Sequence, residues 1–339
     1  MEIESLYQEY SDHNFFWFIR DLTKGAYDGF GKKQEKCLEI HEELESNFAD
    51  STTEELLDIF EERVLSNYKE GNKNYDQIVK LINATKYRVN DKDDIKDLSL
   101  ALYCSAKMSK YINNTKYFTE EDIERIVKNV VRDGRRVIPE NAFDALLSVD
   151  TQGEHLNLAS QRENAVKLLN DVEEKFDGKD KHKYESALIQ WYEMRCGNSR
   201  VSNAGSVLEK ALDMIFEESG IPSEGNPEHY GDLEIDNKIT GEKTVGISCK
   251  RTQRERLKQS YPRQELNDLD EIWFVTLQLG DVSESKLKEM SNFPIRMYVP
   301  EESSTWKMHK DNDEVQEVLF PAEEFLEDIS QVTGNPLNT

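Results

Sequence analysis

Asp232 and Lys250 place a carboxylate and an ammonium in two short segments of alternating polarity, YGDLEID and KTVGISCK. A period of two sends Asp232 to the side of Glu234 and Lys250 to the side of Ser248, while Leu233, Ile235, Val245, Ile247 and Cys249 turn toward a core. The intervening NKITGE reads as the turn of a β-hairpin. Asp232 and Lys250 are each nine residues from Gly241, so a hairpin turning there sets them side by side. A carboxylate that holds Mg²⁺, beside a cation that activates water or stabilises developing charge, is the equipment of phosphodiester hydrolysis. A lone carboxylate holds Mg²⁺ poorly, so a second is expected nearby, and Glu265 in SYPRQEL is the candidate. Glu209, in the preceding helix, is either a further acid of this cluster or a solvated helix position.

From Lys250 onward the segment KRTQRERLKQSYPR carries six Lys or Arg against the single acid Glu255, within a chain of net charge −25. So acidic a chain repels phosphate at long range, and any contact with DNA must be local. Arg251 and Lys258 in this island are candidate DNA contacts. Arginine matches the O6 and N7 edge of guanine, and a carboxylate accepts from cytosine N4. Arg254, Glu255 and Arg256 are therefore either readers of adjacent G·C pairs in the major groove or a solvated, salt-bridged helix face. His229 reads as a structural or surface histidine rather than a general base, and Cys249 as a small core hydrophobe rather than a nucleophile. Arg200 either contacts a phosphate or pairs with an acid. Trp17 and Tyr87 are assigned to core packing rather than to wedging into DNA.

The elements that position these groups follow from periodicity. From Met1 to about Met194 apolar residues recur at spacings of three and four, as in LLDIFEERVLSNY and EEDIERIVKNVV, which predicts helices throughout. Ser51-Thr52-Thr53 ahead of Glu54-Glu55 and Thr119 ahead of Glu120-Glu121 mark helix starts. Polar breaks fall at 72–74, at 90–94 and at SVDTQGEH (148–155), the last read as a domain edge. The expected organisation is a helical N-terminal domain over 1–150, for dimerisation or clamping DNA, and a catalytic α/β domain over 151–339 with its core at about 195–325. Within the latter, Ser202-Asn203 caps a helix ending at Gly220. The hairpin follows, then a basic helix from about Gln253, the strand IWFVTL, the helix SESKLKEMS and the strand IRMYVP. That order describes a mixed sheet with helices on its faces.

The 339 residues suffice for two domains, and 14 Phe and 14 Tyr can fill their cores. Four cysteines without CxxC spacing indicate neither a zinc ribbon nor a disulfide framework, and a reducing cytoplasm is the expected compartment. No basic segment followed by an apolar run opens the chain, and no stretch approaches a membrane span, so no membrane partner is expected.

The stretch ISCKRTQRER, followed by VTLQLGDVSESKLKEMSNFPIRMYVP, resembles the catalytic domain of the EcoRII and SsoII group of type II restriction endonucleases. That group belongs to the PD-(D/E)xK superfamily and is related to NgoMIV and other enzymes of CCGG-type sites. The resemblance covers roughly residues 195–325. It implies a three-layer α/β/α core and a homodimer that cuts both strands of double-stranded DNA at a short palindrome containing CC and GG. It also implies Mg²⁺ held by Asp232 and a downstream Glu, Lys250 as the catalytic lysine, and Arg254, Glu255 and Arg256 as readers. In the group a small residue replaces the acid two places before the lysine, and Ser248 matches that replacement. Gly231 stands where the usual proline would be, and Arg263-Gln264 occupy the place of the relocated acid, so Glu265 requires a small shift. The competing readings are a repair or modification-dependent nuclease of the same fold and a noncatalytic DNA-binding module.

Overall fold

Thr52 and Thr119 each open a helix in the same way. The hydroxyl accepts from the backbone N–H three residues on, and the carboxylate there, Glu55 or Asp122, accepts from the threonine's own N–H. Asp91 caps a third helix by accepting from the N–H groups of Asp93 and Asp94. The computed structural model describes residues 14–23, 34–68, 70–71, 74–176, 181–225, 233–236, 238, 243–251, 269–277 and 282–338. The chain divides into two compact units, Met1–Lys116 with Asn157–Arg200, and Tyr117–Leu156 with Val201–Thr339.

The first unit is helical throughout its described residues. It contains α1 (Asn14–Thr23), α2 (Gln34–Asn47), α3 (Thr53–Leu65), α4 (Tyr75–Arg88) and α5 (Lys92–Asn113), joined by parts of two longer helices. Phe15, Phe18, Leu44, Phe60, Leu98, Leu102, Leu188 and Tyr192 form its core. Tyr87, expected in a core, is 90% exposed. The buried stripe of α4 runs through Ile78, Leu81, Ile82 and Thr85, and position 87 falls outside that 3.6-residue period. Trp17 is partly buried, its ring flanked by the guanidinium groups of Arg20 and Arg88, each 4.7 Å from the ring centre.

The two longer helices are α7 (Ala142–Val172) and α8 (Lys181–Ser219). Each begins in one unit and ends in the other, so the chain passes between units three times where the sequence reading placed one edge near 150. The run SVDTQGEH, expected as a break, lies inside α7. It contains no proline, and Gly153 is accommodated beside the Phe118 ring, which a Cβ would meet at 3.5 Å. Ser202-Asn203, expected as a cap, lies inside α8, but the helix does end where expected, at Gly220 with φ 77°.

The second unit contains α6 (Glu120–Val131) and a two-stranded ladder, β1 (Arg132–Asp133) and β2 (Arg136–Val137), which turns at Gly134 with φ 63° and was not anticipated. Its main sheet is mixed, in the order β3-β4-β5-β6-β7-β8: β3 (Ser223–Gly225), β4 (Leu233–Asp236), β5 (Lys243–Lys250), β6 (Glu271–Thr276), β7 (Ile295–Val299) and β8 (Leu319–Pro321). The first two neighbouring pairs are antiparallel and the remaining three parallel. One face, with Leu233, Ile235, Val245, Ile247, Cys249, Trp273, Val275 and Tyr298, packs on α6, α7, α8 and α11 (Phe325–Thr333). The other, with Ile272, Phe274, Met297 and Val299, packs on α9 (Glu284–Met290) and on the segment around Val315 and Val318, with Trp306 of α10 (Ser304–His309) at its margin. The result is the expected α/β class with a mixed sheet between helical layers. The expected strands and the SESKLKEMS helix stand at β4 to β7 and α9, whereas the basic helix from Gln253 lies outside the described residues.

Candidate active site

Lys250 ends β5 and stands in register with Thr276 of β6, while its carbonyl accepts from the Leu277 N–H at 3.1 Å. Alternation along β5 turns Val245, Ile247 and Cys249 into the core beneath α8 and leaves Ser248 and Lys250 on the opposite face, as the sequence predicts. Cys249 is 1% exposed, in keeping with a core hydrophobe, and all four cysteines are buried free thiols. Glu234 faces Gly246 across the antiparallel pair, so it shares the face of Ser248 and Lys250. Glu234, Ser248 and Thr276 are 4%, 0% and 4% exposed, and together with half-buried Lys250 they make a polar track on a face that is otherwise apolar. Burying polar side chains is costly, which sets this track apart from ordinary sheet packing.

The hairpin register differs from the one expected. A turn centred on Gly241 pairs Leu233 with Cys249, but Leu233 stands opposite Ile247, and a bulge between Ile235 and Asp236 shifts the ladder again. A bulge inserts an extra residue on one strand, which counting from the turn cannot anticipate. Asp232 itself lies outside the described residues, as do Glu265, Arg254, Glu255, Arg256, Lys258 and His229.

Glu209 is exposed on α8 and lines an open cleft of about 610 Å³, together with Glu120, Lys210, Asp213 and Leu233, the residue after Asp232. The cleft's charges are partly committed to one another. Lys210 pairs with Asp213 at 3.2 Å, which raises the lysine's pKa, and Asp213 also accepts from the Ser223 hydroxyl at 3.1 Å. The helix carrying Glu209 covers the face of the sheet opposite to that of Lys250, so the two do not share a face. Arg251, expected among the DNA contacts, extends to α7. There its Nε donates to Asp150 Oδ1, and its Nη2 lies 3.4 Å from the Asp150 carbonyl and 3.5 Å from Glu154 Oε2. Burial pushes the Asp150 carboxyl above its ordinary range, against the hydrogen bond and charge of Arg251, which pull it back.

Sequence reasoning gave no role to Glu234, Thr276, Asp150 or Glu154. Glu234 carries a signal, the alternation it shares with Asp232, and Thr276 stands out as the polar end of an apolar strand. Asp150 is 101 residues from its partner, beyond any local pattern. Among the described residues no group of three His, Cys, Asp or Glu side chains could hold a metal ion. The described polar face offers oxygen donors and no thiolate or imidazole, a donor set that suits a hard cation such as Mg²⁺.

No family model matches the chain. Two solved structures, metal-depleted Ecl18kI in complex with uncleaved DNA and the same protein with uncleaved, modified DNA, each resemble it over 67% of this chain and 82% of theirs. Each has a TM-score of 0.52 at 18% identity. The fold is therefore restriction-endonuclease-like, and no helix among the described residues is long and apolar enough to cross a membrane. In sequence, 88 residues, 25% of the chain, are 35% identical to an uncharacterized protein in the DsaVM 5′ region of Dactylococcopsis salina, over 69% of that protein. The chain belongs to the family of that Dactylococcopsis salina protein.

Proposed function

We propose that the chain is a type II restriction endonuclease, a Mg²⁺-dependent homodimer of the cytoplasm that cuts double-stranded DNA at a short palindrome containing CC and GG. The observation that carries this reading is Lys250 at the carboxyl end of β5, half-buried on a polar track in a restriction-endonuclease-like sheet, with β4 beginning one residue after Asp232. The neighbouring structures are complexes with DNA from which metal has been depleted, which supports the choice of substrate and of a metal cofactor.

Asp232 and Glu265 are the residues assigned to hold the ion, whereas Glu209, on the opposite face of the sheet, is left out of the cluster. Bound Mg²⁺ supplies Lewis-acid polarisation of the scissile phosphate. Lys250 orients the attacking water and meets the charge that develops on the phosphate. Arg254, Glu255 and Arg256 read the CC/GG half-site, with Lys258 on the backbone. The symmetry of the palindrome mirrors that of the dimer.

The test is incubation with plasmid and Mg²⁺, followed by sequencing of the ends. Discrete fragments with a common CC/GG-containing end support the proposal. Nonspecific or structure-dependent nicking points instead to a repair nuclease of the same fold, and intact DNA that shifts on a gel points to a noncatalytic binding module.

A further inference from the structure

We infer that Arg251 is a positioning residue that fixes the end of β5, and with it Lys250, by anchoring to Asp150 and Glu154 of α7; the inference rests on the endonuclease reading above. Arg251 directly follows Lys250. Its side chain is 20% exposed and that of Asp150 12%, so the pair is largely withdrawn from solvent. Asp150 and Glu154 are four residues apart on α7, hence on one face of the helix, and both meet the same guanidinium. A second contact, from Nη2 to the Asp150 carbonyl at 3.4 Å, ties the guanidinium to the helix backbone as well as to its side chains.

Lys250 is thus held from two directions. The Leu277 N–H binds its carbonyl from β6, and the next residue is anchored to α7. An ammonium that acts in a transition state must be placed to within a fraction of an ångström, and a strand end is otherwise the least restrained part of a sheet. Removing Arg251 leaves Asp150 without its partner, and removing the Asp150 charge leaves Arg251 only the longer contact to Glu154, so the anchor weakens from both sides.

The alternative role, a phosphate contact, predicts something different. An arginine that neutralises a phosphate releases a counterion and adds about one to the slope of log affinity against log salt. One whose donors are committed to Asp150 and Glu154 adds nothing to that slope.

The experiment uses the full chain, a duplex carrying the site found by plasmid digestion, binding titrations in Ca²⁺ at several salt concentrations, and single-turnover cleavage in Mg²⁺. Arg251→Ala and Asp150→Asn should each slow cleavage of bound DNA on the order of tenfold to a hundredfold, with affinity and salt slope unchanged. The double variant should be no slower than the slower single, and Arg251→Lys should recover part of the rate. Asp150→Asn and Arg251→Lys preserve shape, so the comparison stands even if Arg251→Ala folds poorly. A salt slope reduced by about one in Arg251→Ala, with wild-type cleavage in Asp150→Asn, overturns the inference and makes Arg251 a DNA contact. Wild-type rates in every variant overturn the positioning role alone. Wild-type protein that neither binds nor cuts DNA overturns the endonuclease reading, and the positioning role with it.

Discussion

Alternate residues of β5 should fail in different ways when cut back to alanine. Ile247 is 0% exposed, faces Leu233 across the hairpin and Trp273 across the parallel pair, and sits beneath α8. Ile247→Ala removes three buried carbons and leaves a cavity that the flanking strands and helix close only in part. The expected cost is about 2 to 5 kcal/mol. In a domain of this size each kcal/mol lowers the melting temperature by about 2 to 4 °C, so the drop should be about 4 to 20 °C. Lys250, three residues on and on the other face, is half-buried at the strand end, outside the apolar clusters on either side of the sheet. Lys250→Ala should leave the melting temperature within about 2 °C of wild type. Its cleavage rate should fall by about a hundredfold to a thousandfold, the usual effect of losing one preorganised charge-stabilising group. Differential scanning fluorimetry and single-turnover cleavage measure both quantities on the same preparations. Equal melting temperatures for Ile247→Ala and wild type would refute the face assignment, and undiminished cleavage by Lys250→Ala would refute the catalytic one.

Gly220→Ala should destabilise the second unit by about 1 to 2 kcal/mol, because φ is 77° there and an added Cβ would lie 2.5 Å from the Asn338 side chain. Chemical denaturation reads that change. In the first unit, buried His41 meets the Ser99 carbonyl at 3.1 Å and its hydroxyl at 2.8 Å, and desolvation lowers its pKa below 6.5, against the pull of Glu45. A depressed pKa means that the unfolded chain takes up the proton first. Stability should therefore be full above pH 6.5 and fall as the pH drops from there through the folded-state pKa, with amides of α2 and α5 exchanging faster at pH 5.5 than at pH 7.5. Hydrogen-exchange rates independent of pH after correction for intrinsic chemistry would contradict this. Arg254→Ala or Glu255→Ala should weaken selection of G·C pairs by about 1 to 3 kcal/mol per lost bidentate contact. Cleavage of a panel of singly substituted sites measures that loss, and unchanged rate and fidelity in both variants would remove the recognition role.

Much of the fold was legible where its signals are local. The alternation in KTVGISCK sorts Cys249 into the core and Lys250 out of it, and the capping threonines 52 and 119 mark helix starts from four residues of context. What was misread depends on partners distant in sequence. SVDTQGEH looks like a linker by composition, yet it lies within α7, and Gly153 there accommodates the ring of Phe118. Tertiary packing of a long helix overrides a local cost of about 1 kcal/mol for a glycine. Tyr87 shows the reverse: an aromatic reads as core by type, while helical phase turns it outward.

The candidate site divides along the same line, and Arg251 shows why. In a run of arginines and lysines on an acidic chain, composition assigns every cation to phosphate, because the field of the segment favours it. A folded acidic protein, however, carries carboxylates near most of its cations, and which acid reaches which base is decided by packing. Asp150 is at once close enough to donors of Arg251 and buried enough for its charge to require one. A half-buried acid beside a strand end therefore claims one arginine from the basic island. If that arginine serves Lys250, as inferred above, the charge available to hold DNA is smaller than the sequence count. On that argument, the salt slope of DNA binding should reflect fewer cations than the six Lys and Arg between Lys250 and Arg263.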